Sequence, residues 1–176
     1  MRKGQQIALT PFEAADSPIL FKWINEREQV LFNAPYRPVH EMQHETWFAN
    51  VQRRPDTVIF AIRLLSDRRL IGTCQLHDIH PIHRSAELQI RIADVAARGG
   101  GCGTEAVRLL LEFAFDDLNL HRVFLHVFAD NAAARRVYDK AGFATDGVLR
   151  QAVFVNGEYR DLILMSILRR DRGSSP

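Results

Sequence analysis

The alternation of hydrophobic and polar residues is strictest in segment 86–92, which reads AELQIRI. Apolar side chains fall on one face of the expected strand, at Leu88, Ile90 and Ile92. Polar side chains fall on the other face, at Glu87, Gln89 and Arg91. A period of two residues is typical of a β-strand. The pattern therefore predicts a strand whose polar face is either exposed to solvent or lines a cleft.

The hydrophobic period changes after this strand. Beyond a glycine-rich stretch, apolar residues recur at helical spacing over 107–118, and RVFLHVF at 122–128 predicts another strand. A strand, a helix and a strand of this length form a βαβ unit, so the two strands should be parallel. A short helix is expected over 131–140, and it should end before Gly142.

The rest of the pattern completes a single domain. It predicts helices over 17–28 and 39–53, strands at 7–9, 57–65 and 70–76, loops at 32–38 and 77–85, and a hairpin turn at Asn156-Gly157. We expect one domain over residues 1–170 and a flexible tail over 171–176. The fold class is α/β (α+β), with a mixed, mostly antiparallel central sheet of about seven strands, one parallel pair and helices on both faces.

Composition and charge exclude several classes of protein. The chain has 176 residues, 47% of them hydrophobic and 25% charged, which is typical of a globular domain. A net charge of +2 is too small to indicate nucleic-acid binding. No apolar run approaches the roughly 20 residues of a membrane span, and the N-terminal segment lacks the apolar core of a signal peptide. Because Cys74 and Cys102 form no disulfide framework, we expect a cytoplasmic protein. The small net charge and the missing apolar span lead us to expect no nucleic-acid or membrane partner.

The stretch 98–104, RGGGCGT, is the strongest candidate for chemistry. A glycine turn between a strand and a helix directs unpaired N–H groups and the positive end of the helix dipole at one point, which suits a phosphate. A P-loop is excluded because no lysine precedes Thr104. The spacing Gly101-x-Gly103-x-x-Ala106 satisfies a dinucleotide fingerprint, but Asp130 lies too far along the chain for its acidic residue. A flexible turn without a ligand also stays open.

Four segments of the chain together resemble the GNAT family of N-acetyltransferases. Arg98-x-x-Gly101-x-Gly103 resembles the family's Q/R-x-x-G-x-G/A coenzyme A loop. AELQIRI before it, GTEA within 103–106 and HRVFLHVFADNAAARRVYDKAGF at 121–143 resemble the branch that acetylates ribosomal-protein alanine and spermidine. The resemblance covers most of the chain and is tightest over 59–168. It implies the acyl-CoA N-acyltransferase fold, in which the parallel strands splay apart near Ile90 and Phe128.

The resemblance also implies a donor site. Backbone groups would contact the pantetheine arm of acetyl-CoA at Ile90, Arg91 and Ile92. The pyrophosphate would lie on Arg98, Gly99, Gly100, Gly101, Cys102, Gly103 and Thr104. The thioester would lie beside Asn131 and Tyr138. The adenosine phosphates are a candidate contact for Arg135 or Lys140, although a solvated helix face explains those two residues equally well.

Acetyl transfer to an amine needs a proton acceptor and a proton donor. Tyr138 is the candidate general acid, because it lies two helical turns after Asn131 on the same face and a phenol can protonate a thiolate. A buried core aromatic is the alternative. Glu87 is the candidate general base, directly or through water, and a backbone N–H near Ile90 would stabilise the oxyanion. Cys102 is interpreted as a small tolerated residue, although a helix N-terminus could lower its pKa.

The function that follows is acetyl-CoA-dependent N-acetylation of a primary amine by direct transfer in a ternary complex. The acceptor stays open between a protein N-terminal α-amine, a polyamine and an amino sugar. Candidate wall residues of its pocket are Trp23, Phe32, Tyr36 and Trp47, with acidic residues at Glu26, Glu41 and Glu45. A non-catalytic acyl-CoA sensor and, less favoured, a dinucleotide-binding oxidoreductase are the alternatives. A homodimer through hairpin 149–168 is possible.

The histidines at 77, 80 and 83 raise the question of a metal. Zinc can use such residues, and Asp78 stands beside His77. The segment contains a proline and no second ligand cluster accompanies it, so a solvated loop at the edge of the acceptor site is the favoured interpretation. No metal is expected.

Overall fold

The computed structural model describes residues 1–31 and 36–172. Its eight strands form one sheet, in the order β1-β2-β3-β4-β5-β6-β8-β7. The strands are β1 Arg2–Lys3, β2 Ile7–Thr10, β3 Val58–Leu64, β4 Leu70–His80, β5 Ser85–Ile92, β6 Arg122–Phe128, β7 Ala144–Val155 and β8 Glu158–Leu168. The α-helices are α1 Ser17–Asn25, α2 Arg27–Val30, α3 Glu41–Asn50, α4 Cys102–Glu112 and α5 Ala132–Lys140. The predicted fold class is confirmed, with eight strands where about seven were expected.

The parallel pair of strands opens within the sheet. Strands β5 and β6 pair in parallel from Ser85 opposite Arg122 to Glu87 opposite Phe124. Both strands continue beyond this pairing, β5 to Ile92 and β6 to Phe128. The βαβ prediction is therefore confirmed, and the two strands part just where the polar face of β5 begins.

Helices cover both faces of the sheet because its central strands bury side chains in both directions. On one face, Ile62 of β3 packs in the main core together with Val107 and Leu110 of α4. On the other face, the neighbouring Ala61 packs with Leu20 of α1. The period-two and helical patterns of the sequence thus place α1 and α3 opposite α4, with the sheet between them.

A buried ion pair holds the start of α1 against the sheet. Nη2 of Arg63 lies 2.6 and 2.8 Å from the two carboxylate oxygens of Asp16. Nε of the same arginine donates a hydrogen bond to Oγ1 of Thr10 at 3.1 Å. All three side chains are buried. Removal of one partner would leave an uncompensated buried charge. The pair therefore fixes the position of α1, a helix that lines a cavity.

Two helix boundaries differ from the prediction. The first helix ends at Asn25 rather than near residue 28, because Glu26 is extended, with φ −81° and ψ 100°, and α2 begins anew after it. The second α-helix covers Glu41–Asn50, and residues 51–53 tighten into a 3-10 turn. Local propensity does not distinguish these variants of helical backbone.

The loop predicted at 77–85 is too long, since only residues 81–84 form the connection between β4 and β5. Strand β4 extends to His80 and β5 starts at Ser85, with His77 opposite Glu87 and His80 opposite Ser85. A register shift between His77 and His80 places Asp78 at φ 51°, so a bulge interrupts the alternation on which the sequence prediction relied.

The hairpin at Asn156-Gly157 is confirmed, since both residues have positive φ, at 54° and 84°, between β7 and β8. The loop predicted at 32–38 and the tail predicted at 171–176 lie partly outside the described residues. Across residues 1–31 and 36–172, no helix combines the length and apolar character that crossing a bilayer requires.

Candidate active site

The glycine-rich turn connects the end of β5 to the start of α4. Gly101 is the N-cap of α4 with φ 94°, in the left-handed region that glycine enters without steric cost. The first N–H groups of α4, at Cys102, Gly103 and Thr104, have no acceptor within their own helix. They point into the turn, where the helix dipole also favours negative charge. This geometry fits a phosphate group.

Gly103 is small for a reason that protein packing alone does not supply. A Cβ atom at this position would lie 3.7 Å from Cγ1 of Ile92 and 3.9 Å from Cγ2 of Val137, which are ordinary contact distances. Gly99 and Gly100 likewise have nothing within 4 Å of such an atom. The absent side chains leave room for a ligand to approach the backbone, and contact of this turn with coenzyme A stays a prediction.

The surroundings of Arg98 and Cys102 do not activate the Cys102 thiol. The exposed Arg98 donates from Nε to the carbonyl oxygen of Ile92 at 2.9 Å, so its guanidinium holds the turn against the end of β5. Cys102 is 4% exposed. Burial, and next the charge of Glu105, raises the pKa of the Cys102 thiol despite its place at the helix N-terminus. This supports the interpretation of Cys102 as a small tolerated residue.

A cleft of about 190 Å³ lies where β5 and β6 part, and we call it the donor cleft. Its lining includes Glu87, Leu88, Gln89 and Ile90 of β5, His126, Val127 and Phe128 of β6, and Asn131, Ala134 and Tyr138 at α5. The structure therefore brings both predicted catalytic side chains into one cleft with Ile90 and Asn131. Oδ1 of Asn131 accepts a hydrogen bond from the backbone N–H of Ala134 at 3.1 Å, so Asn131 is the N-cap of α5.

Tyr138 lies in the donor cleft as a protonated phenol. Its side chain is 7% exposed, and its ring meets Phe143 edge-on with centroids 5.8 Å apart. Burial disfavours the phenolate and raises the pKa of Tyr138 to about 12. The hydroxyl consequently keeps its proton across the physiological range, as a general acid requires.

Glu87 has a partner that sequence analysis missed. Nδ1 of His126 lies 2.7 Å from Oε1 of Glu87, in a hydrogen bond that the imidazole donates. The side chains of His126 and Glu87 are 31% and 22% exposed, so both reach solvent in the cleft. The signal was available in RVFLHVF, because Arg122, Phe124 and His126 alternate onto the face that carries Glu87. Such a carboxylate–imidazole pair can accept a proton from an incoming amine.

A larger cavity of about 480 Å³ lies between the sheet and helices α1 and α3, and we call it the acceptor cavity. Its apolar wall includes Leu20, Trp23, Ile24, Trp47 and Ile59. Its polar wall includes Thr73, Gln75, Gln89 and Arg91. Gln89 and Ile90 line both this cavity and the donor cleft, so the two spaces meet at the middle of β5.

The sequence of the chain matches a family of known proteins. Residues 6–144 match a family model described as an acetyltransferase (GNAT) domain. The chain belongs to the GNAT acetyltransferase family. The predicted family, the enzyme class and acetyl-CoA as co-substrate are confirmed.

Similar proteins align with this GNAT chain over almost its whole length. It is 32% identical to "Spermidine N(1)-acetyltransferase" of Vibrio cholerae, over 94% of this chain and 95% of that protein. It is 39% identical to "Probable N-acetyltransferase YjcK" of Bacillus subtilis, over 97% and 98%. The crystal structure of the Vibrio cholerae spermidine N-acetyltransferase in complex with CoA and spermine superposes with a TM-score of 0.85 and 30% identity, over 94% of this chain and 97% of that one.

Some predicted residues of this GNAT chain lie away from the donor cleft. Lys140 is exposed at the end of α5, and its carbonyl oxygen accepts a hydrogen bond from Arg108. Arg135 donates to the carbonyl oxygen of Ala129 at 3.4 Å. Neither residue lines the cleft. Contact with the adenosine phosphates stays a prediction for both.

Only some of the residues predicted to wall the acceptor pocket line the acceptor cavity. Trp23 and Trp47 line it, whereas Tyr36 does not, and Phe32 lies outside the described residues. None of the three candidate acidic residues, Glu26, Glu41 and Glu45, belongs to the lining of the cavity.

The histidines at 77, 80 and 83 lie on β4 and in the turn after it, and each has a partner within the protein. His80 stacks on His83, with centroids 4.1 Å apart. Donor atoms of His77, Asp78 and Glu87 lie within 4.8 Å of one another. Each is satisfied without an ion, because His77 pairs with Asp78 at 2.9 Å and Glu87 pairs with His126. The expectation of no metal stays a prediction.

Proposed function

We propose that this GNAT protein transfers the acetyl group of acetyl-CoA directly to a primary amine held in the acceptor cavity. The observation that carries the proposal is the meeting of the donor cleft and the acceptor cavity at Gln89 and Ile90. A thioester in the cleft and an amine in the cavity would face each other there without a covalent acetyl-enzyme. Holding two reactants in contact in this way removes much of the entropic barrier.

The chain supplies three groups for binding the donor. The pyrophosphate would accept hydrogen bonds from the N–H groups of the glycine turn over 98–104. The pantetheine arm would follow β5 beyond Glu87, where the pairing with β6 ends. Its thioester would then lie beside Ile90 and Tyr138, with a backbone N–H near Ile90 as the predicted oxyanion donor.

The proposed reaction balances with one base and one acid. The neutral amine attacks the thioester carbon, and a C–N bond forms. The amine proton passes to Glu87, directly or through water, and His126 steadies the carboxylate. The C–S bond then breaks, and the thiolate takes a proton from Tyr138. Exchange with solvent removes the proton from Glu87 and returns one to Tyr138, which restores the enzyme for the next turnover.

Replacing Glu87 with glutamine should lower kcat/KM by about tenfold near pH 7 and by less near pH 10. Alkyl amines have a pKa near 10.4, so at low pH nearly all of the acceptor is ammonium and needs a base, whereas at high pH much of it is already neutral. The pH–rate profile measures this difference. Glu158→Gln, an exposed carboxylate on β8, is the matched control. A constant ratio between variant and parent at every pH would argue against the role of Glu87.

Two assays test the function against its alternatives. Thermal-shift titration with CoA and with NAD should stabilise the fold with CoA only, whereas stabilisation by NAD would favour an oxidoreductase. Thiol release from acetyl-CoA, measured with a panel of primary amines, should rise with at least one amine. CoA binding without thiol release for any amine would instead favour a non-catalytic acyl-CoA sensor.

The acceptor, the assembly and the location of the protein stay predictions. A protein α-amine, a polyamine and an amino sugar were the candidate acceptors, and a polyamine is the one named for the Vibrio cholerae relative. The possible homodimer gains support from β7, an edge strand with exposed Val148, Leu149 and Phe154. A cytoplasmic location is the prediction from the two unpaired cysteines.

A further inference from the structure

Arg91 is a half-buried cation without a partner at the wall of the acceptor cavity. Its Nε atom is buried and makes no hydrogen bond. Among residues 1–31 and 36–172, its side chain forms no ion pair. Burial lowers the pKa of the Arg91 guanidinium. Its neighbour Arg98, by contrast, donates to backbone carbonyls.

An unpaired, partly desolvated charge is costly, so the absence of a partner within the protein is informative. An arginine remains charged at any physiological pH. The cost is recovered when a ligand brings an anion to the guanidinium, where two parallel N–H···O bonds match a carboxylate. In the protein without a ligand, the Arg91 guanidinium is therefore available to bind a negatively charged group.

The rest of the cavity wall is apolar or neutral. Trp23, Trp47 and Ile59 offer apolar surface, and Gln75 and Gln89 offer neutral polar groups. Within the described residues, the lining contains no carboxylate. A second ammonium group on the acceptor would thus meet a cation and no counter-charge.

The position of Arg91 on β5 sets a length for the ligand. Arg91 and Gln89 share a face, two residues apart, and Gln89 lies where the cavity meets the donor cleft. Two residues of a strand span roughly 7 Å. An amine at the junction would therefore carry its anionic group several bonds away, across the apolar wall.

We infer that Arg91 selects the acceptor, and that the acceptor is a small primary amine joined through a short apolar spacer to a carboxylate. This inference rests on the proposed function and narrows its amine to one chemical class. An acceptor of this class differs in charge from spermidine, which the name of the Vibrio cholerae relative gives as its substrate. The volume of about 480 Å³ suits a small molecule of this kind.

The test compares acceptors that differ only at the far end. Thiol release is measured with ω-aminopentanoate and ω-aminohexanoate, each against the diamine of matching chain length, and with spermidine. The parent protein should prefer the amino acids by about tenfold or more in kcat/KM. Arg91→Met should lower kcat/KM for the amino acids about tenfold and leave the diamines unchanged or improved, whereas Arg91→Glu should reverse the preference.

Controls separate this inference from its alternatives. Arg150→Met removes an exposed arginine on β7 and should change neither series. The thermal midpoint of Arg91→Met should equal or exceed that of the parent, because an unpaired buried charge is lost; Arg91→Gln is the reserve variant if Met perturbs folding.

Three outcomes would overturn the inference. Preference of the parent for diamines or spermidine contradicts it while the proposed function stands. A higher KM for acetyl-CoA in Arg91→Met, with unchanged amine selectivity, assigns Arg91 to the donor instead. No thiol release with any amine contradicts the proposed function and this inference with it.

Discussion

Replacing Tyr138 with phenylalanine should lower kcat by about 10²- to 10³-fold and change the KM for acetyl-CoA by less than about threefold. Tyr138 lines the donor cleft, and burial raises the pKa of Tyr138 to about 12, so its hydroxyl carries the proton that the leaving thiolate needs. The phenylalanine ring keeps the edge-on contact with Phe143, so the fold should survive. Steady-state kinetics with varied acetyl-CoA measures the effect.

The role of Tyr138 as general acid also predicts how the rate depends on pH. A phenol whose pKa is raised to about 12 stays protonated until the pH approaches that value. Ionisation of Tyr138 should therefore not lower the rate of the parent protein between about pH 7 and 10. Tyr159→Phe, an exposed tyrosine on β8, is the control. An unchanged kcat in Tyr138→Phe would remove the residue from the acid role and leave it a core aromatic.

Replacing Gly103 with valine should weaken CoA binding by about 100-fold while the protein remains folded. A Cβ atom fits there at ordinary contact distances, and valine has a better helix propensity than the glycine it replaces. We expect the γ-methyl groups, which extend beyond that Cβ, to crowd the turn where the pyrophosphate would approach. Calorimetric titration with CoA measures the affinity, and circular dichroism checks the fold.

A control substitution at a second glycine tests whether the loss of CoA affinity is specific to the turn. Gly147 on β7 has nothing within 4 Å of an added Cβ, so it too can accept a side chain, and Gly147→Val should bind CoA like the parent. Gly103→Ala should fall between parent and valine. If Gly103→Val retained its CoA affinity, the glycine turn would not be the pyrophosphate site.

The features that sequence predicted well are those written in local pattern. The glycine turn, the helix after it and the Asn156-Gly157 hairpin each depend on a few neighbouring residues with particular backbone needs. The parallel pairing of the two strands at 85–92 and 122–128 followed because handedness and connection length leave few other topologies.

The features that sequence missed depend on residues far apart in the chain. The hydrogen bond from His126 to Glu87 and the ion pair of Arg63 with Asp16 form only once the strands and helices have packed. The bulge at Asp78 hid the extension of β4 because it breaks the period of two. Arg91 was predicted only as a backbone contact, since no pattern reveals that a charge lacks a partner.

The measurement that tests the central claim most directly is the initial rate of thiol release with acetyl-CoA and an accepted amine both varied. If the donor cleft and the acceptor cavity meet at Gln89 and Ile90, both substrates must be bound before the acetyl group moves. Double-reciprocal plots should then intersect, as a ternary complex requires. Parallel lines, the pattern of an acetyl-enzyme intermediate, would contradict direct transfer.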